Sequence, residues 1–270
     1  MKLALKALFA VSALLFGFLA FAGYFDRDVL VRIPATARPT PAHDHLAALY
    51  FSGDVGYRLA MGRMIGNRLT ADGIPVVAVN SLAYFRPHRT VAEVSALTAD
   101  AIRQALAFGN ADQVILIGHS LGADALQAGL AQLPQELRGR VRAVVLIVPT
   151  DQLYLQISPG EMLSWSKPDA EVLPTLQQMT WVPVTCIYGI KEPDSPCPQL
   201  GAPNVRKVSL PGGHALDWNI GAVHAALLGA IDATNLPKIT KVSESDHLSA
   251  MPHQAESGTS HAGKGIDDVH

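Results

Sequence analysis

The chain has 270 residues, of which 49% are hydrophobic and 16% are charged, and its formal net charge is −2. This composition excludes a wholly disordered chain and a coiled coil, and the length fits one large domain or two small ones. The 21 basic residues form no block, so the sequence lacks the electrostatic footprint of a nucleic-acid-binding protein. Two cysteines exclude a disulfide scaffold and any multi-cysteine metal site.

The first predicted element is an N-terminal leader over residues 1–22. Two lysines precede an uncharged run over residues 7–25, which is the charge pattern of an export signal. Small residues within 20–22 fit a signal-peptidase site with the cut before Gly23. The run is also long enough to span a bilayer. We therefore predict an exported protein whose leader is either cleaved or kept as a membrane anchor.

After the leader, short β-branched runs alternate with longer amphipathic segments. Short, wholly apolar strands separated by helices are typical of a parallel sheet with helices on both faces. We predict one α/β domain over residues 23–237, large enough for a sizeable core. The predicted strands are 29–33, 46–51, 74–79, 114–117, 141–148, 182–188 and 205–210, and the predicted helices are 56–69, 91–108, 121–132 and 217–233.

Two stretches depart from this alternation. The segment 149–181 carries apolar residues that include Tyr154, Met162 and Trp165, and we predict that it forms a short cap over the top of the sheet. The tail, residues 238–270, has little apolar content and is rich in Ser, His, Gly and acidic residues, which predicts a disordered terminus. The spacing of the tail histidines fixes no metal geometry.

The predicted chemistry centres on Ser120. An apolar strand runs into Gly118-His119-Ser120-Leu121-Gly122, a G-x-S-x-G sequence, and a helix follows it. The pentapeptide alone is a weak signal. The strand before it and the helix after it make the serine a candidate nucleophile, because the sharp turn raises the hydroxyl above the sheet. The positive end of the following helix favours a developing oxyanion. The alternative is a plain strand–helix turn.

A nucleophilic serine needs a base and an acid, which in this architecture follow later strands in the order acid, then histidine. The loop after strand 182–188 offers Glu192 and Asp194, and strand 205–210 ends in a Gly-rich turn that carries His214. We predict His214 as the base. We choose Asp194 over Glu192 as the acid, because the acid loop must reach back over the sheet.

The oxyanion hole is predicted from two backbone N–H groups. One belongs to Leu121, directly after the nucleophile. The other is assigned to the loop over residues 51–57, whose glycines let the backbone approach a substrate, with Asp54 as our choice and Val55 next. The alternative for this loop is a Gly-rich turn without a catalytic role.

Cys186 and Cys197 bracket the acid loop. In an exported chain a pair this close can form a disulfide, which would fix Asp194 relative to His214. Closing so short a loop would stabilise the fold by about 2–3 kcal/mol. The alternative is two buried thiols.

No metal or cofactor is predicted. His43-Asp44-His45 looks like a metal pair, but it lies in a Pro-rich loop with no further ligand at useful spacing. The sequence contains neither G-x-x-x-x-G-K-[ST] nor G-x-G-x-x-G, so nucleotide binding is unsupported.

Five segments together carry a resemblance to a known family. They are 51–54, 80–85, 118–124, 186–197 and 211–214. Over roughly residues 46–232 the chain resembles the bacterial virulence protein family VirJ/AcvB. The resemblance implies a periplasmic α/β-hydrolase fold and hydrolysis of aminoacylated phosphatidylglycerol, notably the lysyl ester, at the outer face of the inner membrane. Some members of that family are associated with type IV secretion, so the resemblance also points to secretion-system partners.

The chain departs from the family pattern at two places. The family usually shows Ser-Gly-Asp-Gly-Gly-Trp where this chain has Val55 and Tyr57. The family often shows two adjacent histidines where this chain has His214 followed by Ala215. The first change falls in the predicted oxyanion loop, and the second leaves a single histidine as the base.

We therefore expect an exported serine hydrolase that cleaves the ester of aminoacylated phosphatidylglycerol. A cationic aminoacyl group needs an acidic neighbour near the nucleophile, and the sequence offers Asp124, one helical turn past Ser120, and Asp54 in the predicted oxyanion loop. We assign Asp124 to substrate binding, together with Tyr84 of the segment 80–85. The alternative for Asp124 is an acid that only favours the helix dipole.

The expected partners are a lipid or small-molecule ester, the outer surface of the inner membrane, and components of a secretion system, with no nucleic acid. Two other functions stay open at this point. One is a general carboxylesterase or lipase, and the other is a non-catalytic periplasmic accessory protein of a type IV secretion system, because a fold alone never establishes an activity.

Overall fold

A computed structural model of the chain describes residues 2–158 and 166–233. The predicted disordered tail, 238–270, lies outside the described residues. So does the middle of the predicted cap, 159–165, which contains Met162 and Trp165.

The chain begins with helix α1 (Lys2–Ala22). The window Leu5–Ala22 has a mean hydropathy of 2.1 and is long and apolar enough to cross a membrane, by length and composition. Such a helix near the N-terminus is compatible with the predicted export signal. Its sequence is uncharged after Lys6, so nothing in it marks a water-facing side.

A seven-stranded sheet forms the centre of the domain, in the order β1-β3-β2-β4-β5-β8-β9. Every neighbouring pair is parallel except β1 with β3, which is antiparallel at one edge. The strands are β1 (Leu30–Ile33), β2 (Leu46–Phe51), β3 (Val76–Val79), β4 (Gln113–His119), β5 (Val141–Ile147), β6 (Gln152–Leu153), β7 (Ala170–Glu171), β8 (Val184–Gly189) and β9 (Val205–Leu210). The predicted, mostly parallel sheet is confirmed.

Helices cover the sheet on both faces. The helices after α1 are α2 (Ala60–Ala71), α3 (Ser81–Tyr84), α4 (Val91–Gly109), α5 (Leu121–Ala131), α6 (Gln135–Arg138), α7 (Leu173–Gln177) and α8 (Ile220–Ala233). Ile102 of α4 and Leu126 of α5 pack in one apolar cluster, and Ile65 of α2 and Leu227 of α8 pack in the other. Successive residues of a strand contribute to opposite clusters, because side chains alternate between the two faces of the sheet.

Local sequence explains where several elements begin. Helix α4 starts with a capping box, in which the Thr90 side chain accepts from the Glu93 N–H and the Glu93 carboxylate accepts from the Thr90 N–H. Helix α2 begins at Ala60, four residues later than the predicted 56, because Gly56 ends a turn that begins at Gly53 and has φ 81°, which is outside the helical region. The described part of the predicted cap forms the two-stranded β6–β7 sheet and α7.

Candidate active site

Ser120 occupies the sharp turn between β4 and α5. Its backbone has φ 54° and ψ −131°, a conformation that non-glycine residues rarely adopt. The Ser120 N–H donates to the Ile147 carbonyl of the neighbouring strand at 2.9 Å, which fixes the turn at the carboxyl edge of the sheet. This is the strained strand-to-helix turn that presents a nucleophile at the top of an α/β sheet.

Both glycines of the G-x-S-x-G sequence are required by close approach of the backbone. A Cβ on Gly118 would lie 2.5 Å from the Cα of Ala123 in the helix that follows the turn. A Cβ on Gly122 would collide with the carbonyl oxygens of Phe51 and Ser52 at the end of β2. The motif therefore packs the nucleophile turn directly against the loop that follows β2.

The structure brings Ser120 and His214 together. The Ser120 Oγ lies 2.8 Å from the His214 Nε2, a normal hydrogen-bond distance for a hydroxyl that donates to a neutral imidazole. His214 lies in the turn between β9 and α8, and its side chain is 47% exposed. A substrate can therefore reach the imidazole from solvent.

The acid in contact with His214 is Glu192, so the prediction of Asp194 is wrong. The Glu192 Oε1 lies 2.5 Å from the His214 Nδ1, and the Glu192 side chain is 2% exposed. The Glu192 N–H donates to the Gly189 carbonyl at 3.0 Å, which makes the turn after β8 tight. This turn folds the carboxylate back under the imidazole after only three residues. Asp194 lies farther along the loop and is exposed.

The Glu192 carboxylate sets the titration of His214. The hydrogen bond that the Glu192 carboxylate accepts from His214 raises the pKa of the imidazole, and partial burial opposes this. The charges of Glu192, Asp194 and Asp54 raise the pKa further. The cationic form is therefore stabilised, which is what a base needs after it has taken a proton. Asp194 thus acts on His214 through its charge and not by contact.

His119, beside the nucleophile, is held neutral. Burial and, to a smaller extent, the charge of His214 lower the pKa of His119 to about 4. At neutral pH the His119 imidazole is therefore uncharged and cannot replace His214 as the group that becomes cationic. His119 is therefore read as a structural residue of the motif.

The predicted oxyanion donors lie next to the nucleophile. Among the described residues, no acceptor is hydrogen-bonded to the backbone N–H of Leu121 or of Asp54. A Cβ built on Gly53 would lie 3.5 Å from the Cβ of Ser120, so the loop after β2 passes directly over the serine. An oxyanion hole requires two N–H groups that point at the same oxygen, and Leu121 and Asp54 stay the predicted donors.

A buried serine pair, which sequence reasoning missed, holds this loop in place. The Ser81 N–H donates to the Ser52 Oγ at 2.9 Å, and the Ser81 Oγ donates to the Ser52 carbonyl at 2.6 Å. Both residues are fully buried. Ser52 and Ser81 both lie in segments that carry the family resemblance, and this was the only sign in the sequence that they could matter to the site.

A pocket of about 180 Å³ opens beside the nucleophile. Its described lining is mixed polar and apolar, and consists of Asp54, Ser120, Leu121, Asp124, Thr150, Tyr154 and Ile157. We call this the serine pocket. Tyr154 and Ile157 belong to the predicted cap segment, so its described part does border the site. Tyr84 is not among the described lining residues, and its ring packs instead against Phe85 and under Arg89.

Asp124 lies in the wall of the serine pocket but is already bound to a partner. Its two carboxylate oxygens accept from the Thr150 N–H at 3.0 Å and from the Thr150 Oγ1 at 2.8 Å. Burial raises the pKa of Asp124 well above its usual range, although the Thr150 hydrogen bonds oppose this. Asp124 therefore shapes the pocket through Thr150. Sequence reasoning missed Thr150, because nothing local marks it as a partner.

Cys186 of β8 and Cys197 form a disulfide, as predicted, with an S–S distance of 2.02 Å. Both residues are fully buried. The bridge closes the loop that carries both Glu192 and Asp194, and the acid of this loop that contacts His214 is Glu192, not Asp194 as predicted. A disulfide is typical of an exported protein.

No group of three or more His, Cys, Asp or Glu side chains that could hold a metal ion occurs among residues 2–158 and 166–233. Of the histidine pair near the N-terminus, His43 is buried and lies 3.4 Å from Asp232. His45 lies 3.7 Å from Asp44 and 3.8 Å from Asp112.

The order of the strands and the position of the serine turn define the α/β-hydrolase fold. Residues 44–235 match the family model described as bacterial virulence protein (VirJ). The chain belongs to this family.

Solved structures with the same fold share little sequence with the chain. An alpha/beta hydrolase, GrgF from Penicillium sp. sh18, matches with a TM-score of 0.55 and 13% identity over 75% of this chain and 92% of that one. Lipase BlEst2 of Bacillus licheniformis matches with a TM-score of 0.52 and 12% identity, over 75% and 97%. Est1E from Butyrivibrio proteoclasticus matches with a TM-score of 0.51 and 14% identity, over 75% of this chain and 93% of that one. A comparison with curated proteins gives no match.

Proposed function

We propose that the protein is an exported serine ester hydrolase. The observation that carries the proposal is the hydrogen-bonded chain from Ser120 through His214 to Glu192, with contacts of 2.8 and 2.5 Å. Nucleophile, base and buried acid are in contact, in the order that this fold uses. A scaffold protein has no need of a strained serine, a partly exposed imidazole and a buried carboxylate at one point.

The geometry supports a two-step ester cleavage. The Ser120 Oγ attacks the ester carbonyl carbon, the carbonyl electron pair moves onto oxygen, and the His214 Nε2 takes the serine proton. The Glu192 carboxylate stabilises the imidazolium that forms. The N–H groups of Leu121 and Asp54 bind the oxyanion until the tetrahedral intermediate collapses. The leaving alcohol takes the proton from His214.

The second step repeats the first with water as the nucleophile. His214, neutral again, removes a proton from water, and the hydroxide attacks the acyl carbon that is bound to Ser120. Collapse of this second intermediate breaks the bond to the Ser120 Oγ, which recovers its proton from His214. The products are the alcohol and the free acid.

The proposed substrate is an aminoacylated phosphatidylglycerol, with the lysyl ester first. Membership of the VirJ family supports this substrate. The charge around the site supports a cationic acyl group, because Asp54 and Asp194 both act on His214 as negative charges. Asp54 also lines the serine pocket, where an ammonium group could contact its carboxylate. Asp124, bound to Thr150, is the less available of the two pocket acids.

The proposed location is the periplasm. The apolar helix α1 and the disulfide both support export. At the outer face of the inner membrane, the protein would meet aminoacylated lipid directly. We also propose components of a secretion system as partners, and only the family supports this.

The test is hydrolysis of lysyl-phosphatidylglycerol by the purified full chain, with free lysine measured by mass spectrometry. Ser120→Ala is the matched control, and p-nitrophenyl butyrate is the uncharged ester for comparison. Lysine release that disappears in the variant supports the proposal. Serine-dependent cleavage of only the uncharged ester would make the protein a general carboxylesterase. No serine-dependent cleavage of either ester would leave a non-catalytic accessory protein.

A further inference from the structure

The carboxyl end of α1 is a capped helix end that is built into the domain. The Gly23 N–H donates to the Ala20 carbonyl at 3.1 Å, and the Tyr24 N–H donates to the Leu19 carbonyl at 2.9 Å. With Gly23 at φ 87°, this pair of bonds is a Schellman motif. The peptide bond between Ala22 and Gly23, where a signal peptidase would cut, lies inside the motif.

Side chains of the domain hold this helix end. The buried Asn80 donates through Nδ2 to the Gly23 carbonyl at 3.0 Å. Arg86 donates to the Tyr24 carbonyl at 2.8 Å and lies over the Tyr24 ring. Ala22 itself is 1% exposed. A leader that is removed after export would need none of these contacts, since tolerance to truncation depends on the burial and bonding of the backbone concerned.

The rest of α1 is apolar and exposed. Only 6% of the window Leu5–Ala22 is buried, and Phe9 and Leu14 are 76% and 75% exposed. A helix that is hydrophobic on all sides and of this length is stable in a bilayer and not in water. Because the helix end is bound to the domain, membrane insertion of α1 would place the domain against the lipid surface.

An apolar groove lies between this helix end and the active site. Phe18, Leu19 and Ala22 form one wall, and Leu59 and Leu82 of the domain contribute to the other. Its surface is mostly apolar, and we call it the lateral groove.

The lateral groove adjoins the serine pocket. Asp54 and Ile157 line both of them. Asp54 is also the predicted oxyanion donor, and Ser120 lines the serine pocket on the other side of it.

We propose that α1 is retained after export and that the lateral groove holds an acyl chain of a bilayer phospholipid. The lipid headgroup, with its ester, then extends past Asp54 to Ser120. The groove suits an acyl chain because its walls are apolar, it is walled on one side by a bilayer-spanning helix, and it adjoins the serine pocket. The choice of a headgroup ester rests on the proposed function, whereas retention of α1 and occupation of the groove do not.

Retention of α1 is tested on protein taken from the membrane fraction of the native host. Trypsin should release the peptide of residues 7–27, because no Lys or Arg lies inside it. Detection of this peptide supports retention. A mature N-terminus at Gly23 would overturn the proposal, since the lateral groove would then lack one wall.

Occupation of the groove is tested by photocrosslinking of the Ser120→Ala protein, which cannot turn lipid over. Full-length protein is reconstituted in vesicles of phosphatidylethanolamine and phosphatidylglycerol, with a diazirine midway along the phosphatidylglycerol acyl chain. We expect crosslinks at Leu59 and Leu82, which belong to the domain. Crosslinks restricted to the bilayer-facing residues of α1, such as Phe9, would contradict the proposal. The result does not depend on which ester the enzyme cleaves.

A matched pair of substitutions on the same side of the fold isolates the groove. Leu59→Trp fills the lateral groove, whereas Met64→Trp adds the same ring at an exposed position of α2. Overpacking predicts that Leu59→Trp lowers crosslinking at Leu82 by about tenfold, and Met64→Trp leaves it unchanged. Equal effects of the two variants would refute the assignment. Circular dichroism melting of both variants establishes that each is folded.

Discussion

Exchange of the buried acid for its amide gives the sharpest test of the proposed mechanism. Glu192→Gln keeps the size of the side chain but removes the charge that faces the His214 Nδ1 at 2.5 Å. The amide can also offer its N–H to the imidazole and thereby favour the wrong tautomer. The matched control is Asp194→Asn, which removes a negative charge from the same loop without touching His214.

The expected magnitudes differ because the two acids differ in burial. Glu192 is 2% exposed, so water hardly screens its charge, and loss of the charge should cost about 10³–10⁴-fold in kcat. That loss corresponds to about 4–5 kcal/mol of transition-state stabilisation. Asp194 is exposed, and exposed charge pairs contribute at most about 1 kcal/mol, so Asp194→Asn should cost less than about fivefold.

The assay is steady-state cleavage of p-nitrophenyl butyrate, with melting temperature followed by circular dichroism to establish that each variant is folded. Ser120→Ala supplies the background rate. A folded Asp194→Asn protein that loses more activity than Glu192→Gln would refute the assignment of the acid. Equal, small losses in both variants would show that neither carboxylate orients the imidazole.

Three further results are expected. Ser120→Ala should leave less than about a thousandth of the wild-type rate, and a higher residual rate would exclude Ser120 as the nucleophile. Because the pKa of His214 is raised and the base must be neutral, activity should rise with pH through that pKa, and Glu192→Gln should move the midpoint to lower pH; an unmoved midpoint would contradict this. Mass spectrometry of alkylated, unreduced protein should show no free thiol, and Cys186→Ser with Cys197→Ser should cost about 2–3 kcal/mol of stability.

Much of the fold was predictable because its signals are local. Wholly apolar runs such as 46–51 and 143–148 are typical of buried strands, and the apolar run into Ser120 with a helix after it predicts a strand–turn–helix unit. His214 was predictable for the same reason, because it follows the last strand on a Gly-rich turn. These elements depend on sequence neighbours and not on distant partners.

The choice between the two acids was not predictable from the sequence. Glu192 and Asp194 are two residues apart, and only the tight turn that closes on Gly189 decides which carboxylate reaches the histidine. That turn depends on packing between β8 and β9, where the backbone of Gly189 meets the carbonyl oxygens of the turn before His214. Thr150 is a similar case, since its link to Asp124 joins two distant segments.

In an exported chain, as proposed above, the bridge between Cys186 and Cys197 would also determine when the acid loop is completed. The two cysteines are 11 residues apart, and Glu192 lies between them. In a reducing cytosol both cysteines would remain thiols. In newly made chains, the loop that carries Glu192 would therefore lack its disulfide. Oxidation after translocation would complete the loop. The timing of catalytic competence would then follow the redox state of the compartment, and lipids of the inner leaflet would not meet a fully assembled hydrolase.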